Sequence, residues 1–207
     1  MKSSFTTDTP HSRHRARTGY RESLWREAGT LSKSSVSGQL WVWLSDNGSL
    51  TRRLRSRCTG QFRVKIIAQG WEPPLINEAH HLKISIHRWI FRREVVLYCD
   101  NRPMVYARTV IPARTLKGRL SRLADLGEKP LGEILFTDPH IQRCDLEIAR
   151  LRPGELLFEN ARRTLADMPA SIEAIWARRS TFAYHDKKLL VSEIFLPNQE
   201  FGYNLNA

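Results

Sequence analysis

No run of apolar residues in the 207-residue chain reaches the roughly eighteen that a membrane-spanning helix needs, so no membrane span is expected. The opening stretch, "MKSSFTTDTPHSRHRARTGYRESLWREAG", has no apolar segment, which argues against a secretory signal. It is rich in Ser and Arg, as organelle transit peptides are, but Asp8, Glu22 and Glu27 count against that reading. A poorly ordered basic extension over residues 1–37 is the expectation, ending in the flexible-looking "LSKSSVSG". Cysteine is scarce. Cys58, Cys99 and Cys144 are scattered, odd in number and without a CxxC pair, so they describe neither a disulfide framework nor a zinc site. A reducing cytoplasm is the expected setting. The common catalytic signatures are missing too: no GxSxG, Walker loop, GxGxxG or HExxH. His80-His81 is the one histidine pair, and read as strand neighbours the two rings point to opposite faces, so no metal site is expected.

Acidic residues are outnumbered, 21 against 33 Lys and Arg, for a formal net charge of +12. Nucleic acid, an anionic membrane surface or an anionic small substrate could each account for that excess. Seven basic and three acidic residues fall within residues 1–38, so most of the excess belongs to the body. The densest cluster is "TRRLRSR", Thr51 to Arg57, open to two readings: a solvated helix face or a phosphate-binding surface. The chain lacks the basic strand interleaved with aromatics that stacks bases, so no nucleic-acid partner is expected. Hydrophobic residues make up 41% of the chain, enough for one domain with a substantial core, placed at residues 38–207.

Along the body, "SLTRRLRS" reads as a short helix capped by Ser49, and "GQFRVKIIAQG" as a strand between glycines. "HRWIFRREVVLYC" and "PMVYARTVIP" flank the turn residues "DNR" as a hairpin. "RTLKGRLSRLADLG" switches to helical spacing with Gly127 as its stop, "KPLGEILF" is a second short helix or turn, and "IQRCDLEIARL" is a strand. "RPGELLFENARRTLADMPASIEA" looks helical, and a second hairpin joins "AIWARRSTFAY" to "KKLLVSEIFLP" through "HD". This order predicts a single α+β domain with a largely antiparallel sheet of about six strands flanked by helices.

Two charges are out of place. With a period of two, Leu189, Val191, Glu193 and Phe195 share a strand face, and Arg93 shares another with Val95, Leu97 and Cys99. A carboxylate in an apolar row is costly unless a donor or cation meets it. One reading is a buried Arg93–Glu193 ion pair, or an Arg93 that snorkels to the edge. The other is a pocket with a cation at one end and a carboxylate at the other. The guanidinium would then grip a substrate carboxylate, and the carboxylate would accept a hydroxyl proton or assist proton removal.

Five blocks, "WLSDNGSLTRRL", "REVVLYCDNRPMVYARTVIP", "LGEKPLGEILF", "DLEIAR" and "WARRSTFAYHDKKLLVSEIFLP", follow one another at a spacing that resembles the chorismate lyase family of bacterial ubiquinone biosynthesis. The resemblance covers residues 41–197. It implies an antiparallel sheet flanked by helices and the conversion of chorismate to 4-hydroxybenzoate and pyruvate, the first committed step of that pathway, without metal or organic cofactor. It also implies a buried site in which an Arg and backbone groups of two loops hold the aromatic carboxylate while a Glu meets the hydroxyl. Carried over by motif, the Arg is Arg93, the Glu is Glu193, and the loop positions are Leu131 and Leu50. A Met is familiar at the last position, so Leu50 departs from the pattern, a swap of similar volume. Residues 152–174 run longer than in the shorter members and are expected to be surface decoration rather than a flap. A cytoplasmic monomer acting on chorismate is the expectation, with Glu193 either a base or an orienting group. The alternative is a non-catalytic small-molecule-sensing domain of the same fold. A regulator of that kind needs a DNA-binding domain, and residues 1–37 are too short to supply one.

Overall fold

Two antiparallel hairpins, one in each half of the chain, meet side by side and form the middle of the sheet. The computed structural model describes residues 19–32, 35–165, 168 and 172–203. In chain order these residues form β1 (Arg26–Glu27), α1 (Gly38–Leu44), α2 (Leu50–Arg57), β2 (Phe62–Glu72), α3 (Ile76–Leu82), β3 (Ile90–Cys99) and β4 (Arg102–Pro112). Then come a 3-10 turn (Gly118–Leu123), α4 (Leu131–Thr137), β5 (Ile141–Arg143), β6 (Glu147–Leu151), α5 (Leu156–Arg162), β7 (Ile175–Tyr184) and β8 (Lys187–Phe195). The sheet runs β1-β6-β7-β8-β4-β3-β2, with β5 also on β7, and every pairing between these strands is antiparallel. The α+β architecture and the single sheet agree with expectation.

Local chemistry sets the turns. Asp100 and Asn101 take φ of 52° and 64° between β3 and β4, the left-handed backbone that a tight hairpin turn needs and that short polar side chains tolerate. His185 does the same at φ 55° between β7 and β8. Ser37 and Ser49 cap α1 and α2, each side chain accepting from the N–H three residues on.

Eight strands appear among the described residues, rather than about six. "IQRCDLEIARL" divides into β5 and β6 around Cys144, and the two-residue β1 is too short to show a period. The "GRLSRL" segment is 3-10 rather than α: Leu120 and Leu123, three apart, stack on one side at three residues per turn. His80 and His81 lie on α3, not on a strand.

The N-terminal expectation also needs correction within residues 19–32 and 35–37. Arg26 and Glu27 pair with Ile148 and Glu147 at the sheet edge. The Glu22 carboxylate accepts from the N–H groups of Ile76 and Asn77, both at 2.7 Å, and so closes the start of α3. Val36 is buried in the core. Residues 1–18 lie outside the described residues.

The cysteine expectation is corrected as well. Cys58, the C-cap of α2, is bonded to Cys99 at the end of β3, their Cα atoms 5.3 Å apart. At a sequence separation of 41, no local motif announces the pair; the β2–β3 ladder, which sets Phe62 against Cys99, brings them together.

Alternation along the strands gives the sheet two buried faces. On the first, α1 and α2 pack Leu40, Trp43, Leu44, Leu50 and Leu54 against Val95, Leu97, Val105 and Phe195. The 3-10 turn and α4 pack Leu120, Leu123, Leu131 and Leu135 against Phe91, Phe182 and Val191. On the second face, α5 buries Leu157, Phe158 and Ala161 against Val96, Tyr106 and Ile194. The described part of residues 152–174 therefore supplies core rather than decoration. Beside α5, α3 lowers Glu78 onto Arg108, which also meets Glu72 and Glu94. These carboxylates outweigh the cost of burying Arg108 and hold its pKa well above the ordinary value.

Candidate active site

The two apolar clusters of the first face leave a seam between them, and a cavity lies in that seam. Its floor is the middle of the sheet: Val95 and Leu97 from β3, Ala107 and Thr109 from β4, and Val191 from β8. Its roof is the start of α2, with Leu50 and Thr51, and the start of α4, with Leu131 and Gly132. The first N–H groups of each helix have no acceptor within the helix, so polar donors sit at the edge of an otherwise apolar chamber. The two helix starts come close because Gly132 has no side chain. A Cβ there would meet Thr51 Oγ1 at 3.1 Å and Ser49 Oγ at 3.4 Å. An ion pair between Arg55 and Glu133 links the same helices.

Arg93 and Glu193 both line this cavity, as do Leu50 and Leu131, so the four residues singled out in the sequence converge. Arg93 and Glu193 do not pair with each other. In the ladders, Arg93 stands opposite Thr109 on β4, while Glu193 stands opposite Ala107 on the other side of the same strand. Two strand spacings and a two-residue offset separate their Cα atoms by about 12 Å, room for a ring between them.

Arg93 is 2% exposed. Its Nη2 donates to the carbonyls of Gly127 at 2.9 Å and Lys129 at 3.1 Å, and Gly127 adopts φ 54°, a backbone that glycine takes without strain. Nε is buried and meets no acceptor, and no carboxylate pairs with this guanidinium among the described residues. Burial therefore pulls its pKa below the ordinary arginine value. A buried cation with an unused donor facing a cavity is a receptor for an anion.

Glu193 has a different partner, Arg178, whose Nε donates to its Oε2 at 2.6 Å. Arg178 is 1% exposed and is itself fixed by the carbonyls of Trp43 at 2.8 Å and Asp46 at 2.6 Å. Arg143 joins from β5: Nε donates to Ser180 Oγ at 2.7 Å and Nη1 to the Asp46 carbonyl at 3.0 Å. Burial, together with the nearby Arg178 charge, lowers the Arg143 pKa, and Glu193 opposes the change. The α1–α2 turn that supplies these carbonyls is held by its own Asp46. Burial would raise that carboxyl, but the Gly48 N–H and the Arg53 guanidinium outweigh it and bring the pKa below the usual range. One oxygen of Glu193 is thus committed to Arg178, and Oε1 remains for a ligand.

Arg178 and Arg143 were not singled out from the sequence, although Arg178 was within reach. A two-residue turn at His185-Asp186 fixes the β7–β8 register, and counting back from it sets Arg178 opposite Glu193. No group of three or more His, Cys, Asp and Glu side chains fit to hold a metal occurs among the described residues.

A family model described as chorismate lyase matches residues 20–203. The "Probable chorismate pyruvate-lyase" of Azoarcus sp. strain BH72 is 42% identical over 160 residues, covering 77% of this chain and 84% of that protein. The protein of the same description from Halorhodospira halophila is 42% identical over 173 residues, covering 84% and 89%. Among solved structures, PhnF from Mycobacterium smegmatis superposes with a TM-score of 0.55 at 14% identity, over 77% of this chain and 68% of that one. A GntR-family transcriptional regulator from Bacillus cereus does so with a TM-score of 0.52 at 11% identity, over 70% and 97%. At such identities these two speak for the fold alone.

Proposed function

The chain belongs to the chorismate lyase family, and from that premise we propose that it converts chorismate to 4-hydroxybenzoate and pyruvate in the cavity between α2, α4 and the sheet. The observation that carries the reading is Arg93, a buried cation with a free donor and, among the described residues, no carboxylate of its own, facing an apolar chamber with Glu193 on the far side. The ring carboxylate of the substrate takes the Arg93 guanidinium and the N–H groups at the starts of α2 and α4, near Leu50 and Leu131. The hydroxyl at the opposite ring carbon donates to Glu193 Oε1, while Arg178 keeps that carboxylate in position. Leu50, Leu131, Val95, Leu97 and Phe182 exclude water around the ring.

The chemistry asks little beyond this. The ether bond to the enolpyruvyl group breaks, and the ring proton beside the hydroxyl leaves. The methylene carbon of the departing group takes up that proton, so it leaves as pyruvate and the ring becomes aromatic. Aromatisation drives the reaction, and the protein supplies orientation and fixed charge. Glu193 acts as an orienting group, since its second oxygen is already engaged by Arg178. The +12 charge attracts a substrate with two carboxylates.

In this reading the protein performs the entry step of ubiquinone biosynthesis as a monomer without cofactor. No helix among the described residues is long and apolar enough to cross a membrane. The small-molecule-sensor alternative is not favoured, because the sequence kinship is to proteins named as lyases, while the regulators share only the fold. Incubation with chorismate, following 4-hydroxybenzoate by absorbance and pyruvate in a coupled assay, tests the proposal. Stoichiometric appearance of both is expected, and a folded protein that binds chorismate without turnover would overturn it.

A further inference from the structure

We propose that the end of the sheet where β3 begins and β4 ends is a docking surface for an anionic lipid bilayer. The tight turn Ser85–Arg88, closed by Arg88 N–H donating to the Ser85 carbonyl at 3.0 Å, places Ile86 and His87 at its tip. Such tips ordinarily carry Gly, Pro, Asn, Asp or Ser. Here an isoleucine stands 46% exposed, and Trp89, just past the turn, is 47% exposed. Beside them opens a cavity whose lining, among the described residues, includes Lys83, Arg88 and Arg114 and no carboxylate. The basic field continues away from it. Lys187 Nζ donates to the Lys117 carbonyl at 3.1 Å, and Thr115 Oγ1 to the Lys188 carbonyl at 2.9 Å, so these lysines adjoin the end of β4.

Charge and apolarity together select the partner. An exposed Trp beside an exposed Ile, ringed by Lys and Arg, matches a bilayer interface: the indole sits at the headgroup level, the aliphatic tip enters the acyl boundary, and the cations meet lipid phosphates. Duplex nucleic acid would use the cations but has no place for Ile86. The two apolar side chains are a small anchor, so binding is peripheral, reversible and dependent on anionic lipid. The inference does not depend on the reaction proposed above.

The test is sedimentation of the full chain with extruded vesicles of phosphatidylcholine, with and without phosphatidylglycerol. The parent should pellet with the anionic vesicles and stay in solution with the zwitterionic ones, and added salt should weaken binding. Arg88→Ser with Arg114→Ser should lower partitioning roughly thirty-fold, two surface charges' worth. Ile86→Ser with Trp89→Ser should lower it by about ten-fold or more. Both double variants should keep the parent's melting temperature and chorismate turnover. Equal partitioning of the parent into both vesicle types would overturn the proposal. So would parent-like binding by the Ile86/Trp89 variant, or release of the parent from the vesicles by short duplex DNA that binds that variant equally well.

Discussion

Replacing Arg93 separates a receptor for the ligand from a strut of the fold. In the empty protein Arg93→Ala removes two hydrogen bonds to the carbonyls of Gly127 and Lys129, worth about 1 kcal/mol each net. It also removes a buried guanidinium that no carboxylate among the described residues compensates, which offsets part of that loss. The expected change in unfolding free energy is therefore no more than about 2 kcal/mol. Product binding loses much more. A carboxylate held by a buried guanidinium makes one or two charge-assisted bonds of roughly 1.5–3 kcal/mol each, so about 3 kcal/mol is a moderate figure, or a dissociation constant weaker by roughly 150-fold. Arg93→Lys should recover only part of this, because an ammonium cannot serve two carbonyls and a planar carboxylate together. The assays are calorimetric titration with 4-hydroxybenzoate and urea unfolding without ligand, on the same preparations. An Arg93→Ala protein destabilised by 3–5 kcal/mol, yet binding product normally per folded molecule, would refute the reasoning and make Arg93 structural.

Four further outcomes follow from the same geometry. Glu193→Gln keeps an oxygen for Arg178 and should retain turnover within about ten-fold, whereas a fall of 10²–10⁴ in kcat would make Glu193 the general base. Gly132→Ala sets a methyl 3.1 Å from Thr51 Oγ1 and should push α4 from α2, weakening product binding roughly ten-fold for a stability cost of about 1–3 kcal/mol, read by titration and thermal melting. Asp46 has a depressed folded pKa, so its contribution to stability is present above the unfolded carboxylate range and is lost as pH falls through the folded value. Asp46→Asn should thus melt below the parent at neutral pH and converge with it in acid. Cys58→Ser opens a loop closed across a sequence separation of 41 and should lower stability by up to about 4 kcal/mol, and mass spectrometry after alkylation of the unfolded parent should find a single free thiol, Cys144.

The candidate site was legible where alternation does the placing, and obscure where tertiary packing does. Arg93 and Glu193 announce themselves because a period of two leaves each in an apolar row, and both do face the cavity. Whether they pair is a question of strand order, which no local pattern carries: β4 comes between β3 and β8 and keeps them apart. The carboxylate's true partner, Arg178, was encoded in the turn length of the last hairpin. The misread segments share another cause. Of α3, "INEAHHL", the buried residues are Glu78, Ala79 and Leu82. So short and polar a helix shows little apolar stripe; it stands because Glu78 meets Arg108 and Glu22 meets its free N–H groups. Glu22 is far away in sequence, within a stretch whose composition reads as a tail. A carboxylate that caps a distant helix looks, in a linear reading, like any other surface charge.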